Sequence, residues 1–354
     1  MRFISKEINE RFYNDGFCKI KLLEEGDVAA LLEFADQNIS IKELQNTYYG
    51  MYVSMEEVLE RRLKIKEYIQ EVVAPKINDH LIDHKIHLGG YLIKVQDGST
   101  YTYPHQDWTF VDNETNDVSA TIWIALSDFN EQNGTLGFVK GSHQFLDYVI
   151  GSPSPIVKTP ARGRHQDMFE HMKFESLQAG EALVFDNKTI HGALPNCANS
   201  PRIAIGVGII PKNAQLHHYF LNPENENELL KLQITDDFFL TYNNRDLLKC
   251  YENGDLPGHS NLIGKIEHYS DGYPDQKEII ENCLRHGNTK TQFSLQTGEA
   301  TSDSQESQTL PNPNEDVAQV QEADGRTFLE KYSLLNIYRE TRSRLHQILD
   351  HQEN

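Results

Sequence analysis

Residues 180–211 read GEALVFDNKTIHGALPNCANSPRIAIGVGIIP, and the pattern of this stretch indicates the fold class of the chain. It holds two short apolar runs, Glu181–Phe185 and Arg202–Ile210. The first run stops at the turn residues Asp186 and Asn187, and the second closes before Pro211. No helix-length apolar pattern separates them. Short strands joined by turn residues favour an antiparallel all-β sandwich or barrel over a parallel sheet with crossover helices.

The same texture begins at about residue 87. Further apolar runs separated by Gly, Asn, Asp and Pro occur at Tyr91–Val95, Thr121–Leu126 and Thr135–Val139. These segments favour strands because each is short and ends at turn residues. We therefore predict a mainly β fold with flanking helices, in which residues 87–212 form a double-stranded β-helix, also called a jelly roll.

The flanking regions differ from this core in composition. Apolar residues recur at helical spacing within 26–43 and 54–83. Seven acidic residues stand against one base, Lys290, in 288–325, a composition typical of a flexible linker. The predicted organisation is an N-terminal helical region packing on the barrel (1–86), the catalytic core (87–212), an accessory region of helices and loops (213–287), an acidic linker (288–325) and an amphipathic helix (326–354). That last helix either folds back on the core or binds a partner or a second copy.

Charge and cysteine usage exclude several classes of protein. The chain has 354 residues, with 33 basic against 53 acidic side chains, a formal charge of −20. Such a surface repels nucleic acid and anionic membranes. No apolar run approaches the roughly 18 residues of a membrane span. Its four cysteines lie far apart without a CxxC pair or a secretory leader. We expect a cytoplasmic protein whose metal ligands, if present, are imidazoles and carboxylates.

Two His-x-Asp motifs are candidates for such ligands. His105-Gln106-Asp107 follows the extended segment 100–104, and residues i and i+2 of a strand point to the same side. One strand then presents an imidazole and a carboxylate to one metal ion. The second copy, His165-Gln166-Asp167, follows a Pro- and Gly-containing segment and is predicted to lie in a loop or helix. We do not expect His165 and Asp167 to be ligands.

A third ligand and an anion-binding group follow in the stretch that opened this section. His191 lies just after the strand 181–185, and Arg202 opens the next strand. Two histidines and one carboxylate that leave coordination positions open are typical of non-haem Fe(II) oxygenases. Arg202 would supply a planar fork for a carboxylate held beside the metal. The plainer alternatives are three hydrogen-bonded polar residues lining a barrel, and a surface ion pair for Arg202.

The chain resembles the phytanoyl-CoA dioxygenase family over roughly residues 10–212. The resemblance rests on segments in that family's order and approximate spacing: Pro104–Trp108, Thr121–Leu126, Asn133–Leu136 with Gly141–His143, and Gly180–Phe185 through His191 to Arg202. It implies a double-stranded β-helix that binds Fe(II) through His105, Asp107 and His191. It also implies O2 and the cosubstrate 2-oxoglutarate, whose distal carboxylate pairs with Arg202 in a pocket that Trp123 lines.

The sequence departs from that family at one position. Ala193 stands where members often carry a hydroxyl that helps to hold the cosubstrate, so Thr189, Thr121 or a water would substitute. An upstream cosubstrate contact in some relatives corresponds to Lys94 or Gln96. Asp107 is present, which disfavours the related halogenases, because they carry Gly or Ala there.

The resemblance implies a dioxygenase that hydroxylates an unactivated C–H bond of a small molecule, with succinate and CO2 as co-products. Lys158, Arg162 and Arg164 lie in a segment without acids and are either a solvated loop or a clamp for an anionic substrate group near the pocket mouth. Two other classes remain open. One is a non-catalytic jelly-roll binding protein that recruits a partner through its C-terminal helix. The other is a cupin-like isomerase or hydrolase, in which Arg202 has no assigned task.

Overall fold

A six-stranded antiparallel sheet forms one layer of the core. The computed structural model describes residues 2–39, 59–94 and 101–291, and the backbone of 51–53. In sheet order the strands are Phe17–Lys21 (β2), Glu181–Asp186 (β10), Ala120–Ala125 (β7), Arg202–Pro211 (β12), His84–Lys94 (β5) and Met51–Val53 (β3). The central strand β12 is buried along nearly its whole length because both faces of the sheet are covered, which explains why Ile, Val, Ala and Gly fill it between Arg202 and Pro211.

A four-stranded sheet forms the facing layer. Its strands, in order, are Thr102–His105 (β6), His191–Ala193 (β11), Leu136–Phe138 (β8) and Lys173–Phe174 (β9). Inward-facing side chains from both sheets share one apolar cluster, in which Trp123 and Phe185 of the large sheet meet Phe138 and Ala193 of the small one. The predicted fold class, mainly β with flanking helices around a jelly-roll core, is confirmed.

Three helices precede the core in the described part of the chain: Lys6–Asp15 (α1), Glu25–Asn38 (α2) and Leu59–Asn78 (α3). Helix α3 packs on β5, where a Cβ added at Gly89 would lie 3.5 Å from Ile69 Cγ2. Helix α2 joins the same surface, because the Tyr91 hydroxyl donates to the Leu31 carbonyl at 2.7 Å. These helices therefore cover the outer face of the large sheet.

The N-terminal region also supplies strands, which the helical prediction for 1–86 did not include. Strands β2 and β3 belong to the large sheet, and Arg2–Phe3 (β1) pairs with Leu81–Ile82 (β4). The predicted helix 54–83 ends at Asn78. Leu81 and Ile82 continue its apolar pattern, but their backbone pairs with β1, a long-range contact that local periodicity does not report.

The region 213–287 holds a separate three-stranded sheet where helices and loops were expected. Its strands are His217–Asn222 (β13), Asn225–Ile234 (β14) and Ser260–Glu267 (β15). The sequence of β14, NENELLKLQI, is rich in good helix formers, yet pairing with β13 and β15 overrides that propensity. The remaining helices are Ser142–Phe145 (α4), His165–Glu170 (α5), Phe238–Thr241 (α6), Asn244–Asn253 (α7) and Gln276–Arg285 (α8), with a 3-10 turn at Glu131–Asn133.

All of these elements belong to one compact unit, Met1–Thr291. The predicted linker beyond residue 291 and the predicted helix 326–354 lie outside the described residues, so their proposed roles remain predictions. Within the described ranges, no helix combines the length and apolarity needed to cross a bilayer.

Candidate metal centre

His105, Asp107 and His191 come together between the two sheets. Strand β6 pairs with β11 so that His105 lies directly opposite His191, and their ring centroids are 4.3 Å apart. Asp107 Oδ1 is 3.8 Å from His105 Nε2 and 3.7 Å from His191 Nε2. In the part of the chain that the structure describes, this is the one group of three or more His, Cys, Asp or Glu residues placed to share an ion.

Backbone carbonyls orient both imidazoles. His105 Nδ1 lies 2.7 Å from the Tyr103 carbonyl, and His191 Nδ1 lies 3.0 Å from the Thr189 carbonyl. Each carbonyl accepts a hydrogen bond from the Nδ1–H group of its imidazole. Each Nε2 therefore keeps its lone pair for a metal. Burial lowers the pKa of His191 to about 4, and the neighbouring His105 acts in the same direction. His191 is thus neutral at physiological pH, as a metal ligand requires.

Thr121 of strand β7 and Asn187, in the turn that follows β10, hold the carboxylate of Asp107. Its Oδ2 accepts hydrogen bonds from Thr121 Oγ1 at 2.9 Å and from Asn187 Nδ2 at 2.8 Å. Asn187 also donates to Thr121 Oγ1 at 2.8 Å, and its carbonyl accepts the Asp107 backbone N–H at 2.9 Å. One carboxylate oxygen is therefore fixed by the protein, and Oδ1 is directed to the two imidazoles.

Arg202 lies on the same inner face of the large sheet, in a separate part of the apolar cluster. It is 2% exposed, and its Nη1 donates to the Gly134 carbonyl at 2.6 Å. The guanidinium lies over the Trp123 and Phe129 rings, 4.8 and 5.6 Å from their centroids. Its Nε has no hydrogen-bond partner, and no carboxylate of the described residues forms an ion pair with it. Burial lowers the pKa of Arg202 to about 9, so it stays charged at neutral pH.

A buried guanidinium without an acid is costly, because desolvation of the charge is not offset by an opposite charge. The pair of rings beneath it supplies part of the missing stabilisation through cation–π contact. The remaining donors are those that a carboxylate ligand would accept from. Arg202 is therefore a preformed anion-binding group inside the jelly roll.

The other candidate residues from the sequence contact Arg202, the metal group or neither. Trp123 contacts Arg202, whereas the Thr121 hydroxyl donates to Asp107. Thr189, the other hydroxyl considered in place of the one missing at Ala193, donates to the Gly16 carbonyl at 3.0 Å. Lys94 lies opposite Arg202 in the β5–β12 pairing and donates to the Leu194 carbonyl at 2.6 Å. Gln96 lies outside the described residues.

The basic residues expected near the pocket mouth do not converge. Lys158 Nζ donates to Asn227 Oδ1, Arg162 to the Ile156 carbonyl and Arg164 to the Pro160 carbonyl. His165 begins helix α5 and is not part of the metal group. Burial, and then the neighbouring His105, lower the pKa of His165.

Sequence reasoning missed Asn187, the side chain that clamps Asp107. Its position carried a signal: it follows the buried strand β10 two residues after Phe185, on the face that points into the core. A polar residue at that place is 1% exposed and needs a buried partner. No comparable indication in the sequence pointed to the Gly134 carbonyl that accepts from Arg202. Every residue has a backbone carbonyl, so residue type does not show which one will be used.

A family model described as phytanoyl-CoA dioxygenase (PhyH) matches residues 13–204, more than half of the chain. Dioxygenase trt7 of Aspergillus terreus is 30% identical over 94 residues, which are 27% of this chain and 28% of that protein. Phytanoyl-CoA dioxygenase domain-containing protein 1 of Danio rerio is 25% identical over 143 residues, 36% of this chain and 47% of that protein. The chain thus spans less than half the length of these curated relatives.

Among solved structures, the epimerase SnoN in complex with Fe3+, alpha ketoglutarate and nogalamycin RO is 22% identical. The match covers 60% of this chain and 85% of SnoN, with a TM-score of 0.43. EvdO2 from Micromonospora carbonacea, complexed with 2-oxoglutarate, is 18% identical over 59% of this chain and 91% of its own, with a TM-score of 0.43.

Proposed function

Because this chain belongs to the phytanoyl-CoA dioxygenase family, we propose that it is an Fe(II)- and 2-oxoglutarate-dependent dioxygenase. Its substrate is a small molecule, hydroxylated at an unactivated C–H bond. The observation that carries the proposal is the combination, in one jelly-roll interior, of a two-histidine, one-carboxylate group with a buried guanidinium that has no acid partner among the described residues.

The donor set fits a divalent ion. Two ligand atoms that each lie about 2.1 Å from one ion are at most about 4.2 Å apart. Both distances from Asp107 Oδ1 to an imidazole Nε2 fall inside that limit, at 3.7 and 3.8 Å. His105, Asp107 and His191 would hold the ion through two imidazole nitrogens and one carboxylate oxygen and leave further coordination positions open. When bound, Fe(II) with 2-oxoglutarate and O2 supplies an oxidant for C–H hydroxylation and yields succinate and CO2.

Arg202 fits the distal carboxylate of 2-oxoglutarate. Its Nε is unsatisfied and its charge is uncompensated by any described acid, so a bound carboxylate would complete its hydrogen bonding. The Trp123 and Phe129 rings contact the guanidinium, and the Gly134 carbonyl accepts a hydrogen bond from its Nη1. These contacts place the fork before the ligand arrives, so little side-chain entropy is lost on binding.

The anionic substrate clamp of Lys158, Arg162 and Arg164 receives little support, because each side chain bonds a different group of its own chain. Our proposal therefore keeps a small-molecule substrate and does not require it to be anionic. It also includes a cytoplasmic location, which the buried free thiols of Cys18 and Cys283 support.

Succinate formation tests the proposal without knowledge of the substrate. Purified chain with Fe(II), 2-oxoglutarate and O2 is expected to release succinate slowly even without substrate. Omitting Fe(II) or substituting His105→Ala removes a reactant or a ligand, so either change should abolish that release. Arg164→Leu serves as the matched control, since Arg164 lies outside both groups and the variant should keep wild-type turnover.

The same assay separates the alternatives. A chain that binds Fe(II) but forms no succinate with any candidate substrate would be a binding protein or a metal-dependent isomerase or hydrolase. Either result would contradict the proposal, because neither class consumes 2-oxoglutarate.

A further inference from the structure

Two backbone segments carry the metal group. The first, residues 105–107 at the end of β6, supplies His105 and Asp107, and the second, residues 187–191, ends at His191. His105 lies opposite His191 in the β6–β11 pairing, and the Asp107 backbone N–H donates to the Asn187 carbonyl at 2.9 Å. The position of one segment relative to the other therefore decides how far apart the ligand atoms lie.

Gln106, between the two ligands of the first segment, bonds directly to the second segment. Its Nε2 donates to the Lys188 carbonyl at 2.6 Å and to the Leu146 carbonyl at 2.8 Å. The Gln106 residue is 6% exposed, so water competes little for these bonds. One amide group therefore uses both of its donors to join three segments of the chain.

Leu146 belongs to the third segment, which begins with helix α4. Its N–H donates to the Ser142 carbonyl at 2.8 Å. The Ser142 hydroxyl in turn accepts the N–H of Ile190, the residue before His191, at 2.7 Å. Helix α4 is thus joined to the second segment twice, at Ile190 through Ser142 and at Lys188 through the Gln106 amide.

A charged contact between the same segments is weaker than the amide link. Lys188 Nζ pairs with Asp147, the residue after Leu146, but the two side chains are 31% and 61% exposed. An ion pair at such a surface contributes little, because water and salt screen it. The buried Gln106 amide is therefore the stronger of these two links.

The other end of the Gln106 amide indicates that stability alone does not account for this residue. Its Oε1 is buried and has no hydrogen-bond partner within the described ranges. A buried acceptor without a partner destabilises the folded chain. Methionine has nearly the same length and would fill the space without that cost, so the advantage of glutamine here lies in its two donors.

We propose that Gln106 is a positioning residue that sets the distance between Asp107 and His191, and thereby the affinity and geometry with which the group binds a divalent ion. It acts through the backbone of the two segments and not as a ligand. This inference rests on the proposed function, because it concerns the same metal group. Groups that orient metal ligands commonly change metal affinity by about 10-fold to 100-fold when removed.

Titration of the metal-free full chain with Co(II) tests the proposal, since isothermal titration gives the affinity and the visible d–d bands report the coordination geometry. Gln106→Met removes both donors at nearly constant length. It is expected to weaken Co(II) binding by about tenfold or more and to change the shape of the bands. Gln106→Asn keeps the amide but shortens its reach, and it should lose affinity to a smaller extent.

Gln144→Met is the matched control. The Gln144 amide also donates to two backbone carbonyls, those of Tyr13 and Asn14, but both lie on helix α1. This variant should bind Co(II) with wild-type affinity and wild-type bands. Urea denaturation of each metal-free variant separates positioning from folding, and Gln106→Met should keep a single cooperative transition.

Combining Gln106→Met with Asn187→Ala gives an independent test. Asn187 holds the Asp107 carboxylate from the second segment, and Gln106 holds that segment in place. Once the segment is displaced, the Asn187 side chain has less effect. The double variant should therefore lose less Co(II) affinity than the product of the two single losses.

The positioning role is overturned if Gln106→Met binds Co(II) with wild-type affinity and unchanged bands, or if the losses of the double variant multiply in full, as for independent sites. If Gln106→Met does not fold, Gln106→Asn decides, and wild-type affinity with unchanged bands in that variant overturns the role. These outcomes leave the proposed function intact as long as wild type binds Co(II) and 2-oxoglutarate. Failure of wild type to bind either one contradicts the proposed function itself.

Discussion

Asp107 divides its two carboxylate oxygens between the metal group and the protein. Oδ1 faces His105 and His191, while Oδ2 accepts hydrogen bonds from Thr121 and Asn187. Groups that orient a ligand in this way commonly change metal affinity by about 10-fold to 100-fold when removed. Asn187 is therefore a positioning residue for the metal group.

Asn187→Ala is expected to weaken Co(II) binding by about tenfold or more, because Asp107 loses one of its two side-chain donors. Isothermal titration of the metal-free chain with Co(II) measures the change. Asn288→Ala is the control, since Asn288 is another buried amide, but it donates to the carbonyls of Lys140 and Cys283. Equal Co(II) affinity in wild type and Asn187→Ala would disprove the positioning role.

Arg202→Leu is expected to change the stability of the ligand-free chain by less than about 2 kcal/mol, because removal of an uncompensated buried charge offsets the loss of its ring contacts and of its bond to the Gly134 carbonyl. The same substitution should abolish stabilisation by 2-oxoglutarate, which for wild type is about 2.7 kcal/mol at 100 times Kd. Thermal unfolding of the Ni(II)-loaded chain with and without 2-oxoglutarate measures both effects. A 2-oxoglutarate shift that survives in Arg202→Leu would exclude Arg202 as the anchor.

At the scale of elements, strand β2 joins the N-terminal region to the jelly-roll core. It pairs with β10 so that Phe17 lies beside Phe185, and the Phe17 ring stacks on Phe138 of the other sheet at 4.4 Å and 13°. The strand thus closes one edge of the interior that contains the site. A helical description of 1–86 does not capture this contribution.

Phe17→Ala is expected to lower the free energy of unfolding by about 3 kcal/mol, because it removes a buried ring that both sheets contact. Urea denaturation measures the loss. Tyr13→Ala, four residues earlier and 40% exposed, should cost less than about 1 kcal/mol. A loss for Phe17→Ala as small as that for Tyr13→Ala would show that β2 is dispensable to the core.

The sequence predicted those elements whose local pattern and tertiary environment agree. Strands β7, β10 and β12 carry unbroken apolar runs bounded by turns, and the structure has them where the pattern placed them. Strand β14 was missed because its composition favours helix and only pairing with its neighbours makes it a strand.

At the scale of the whole molecule, burial of uncharged histidine links stability to pH. His87 is 1% exposed, lies against the Phe110 and Phe239 rings, and neither ring nitrogen has a partner among the described residues. Burial first, and then the charges of Lys66 and Lys85, lower its pKa to about 3. The unfolded chain therefore binds a proton below about pH 6.5 that the folded chain does not, and stability falls as pH falls.

Between pH 7.5 and 5.5 this one histidine should cost wild type about 1.4 kcal/mol, from the shift between an unfolded pKa of about 6.5 and the folded value. Urea denaturation of the metal-free chain at the two pH values measures the loss. His87→Leu removes the titrating group, so its loss over the same interval should be smaller by about that amount. Identical losses in the two proteins would contradict a neutral, buried His87.

Spacing and residue type were sufficient to predict that His105, Asp107 and His191 lie close together, although only His105 and His191 are on strands and Asp107 follows the end of β6. The same information did not reveal that Arg202 is unpaired by any described acid or that Asp107 is clamped by Asn187. Both facts depend on which residues the fold brings together from distant segments.

The measurement closest to the central claim is anaerobic addition of Fe(II) and 2-oxoglutarate to the metal-free chain, followed by visible absorption. If the site binds both, a weak charge-transfer band is expected that requires Fe(II) and 2-oxoglutarate together. The band should be absent in His105→Ala and His191→Ala and should need higher 2-oxoglutarate concentrations in Arg202→Leu. Absence of the band in wild type, or a band that His105→Ala leaves unchanged, would contradict the assignment of this site as an Fe(II) and 2-oxoglutarate centre.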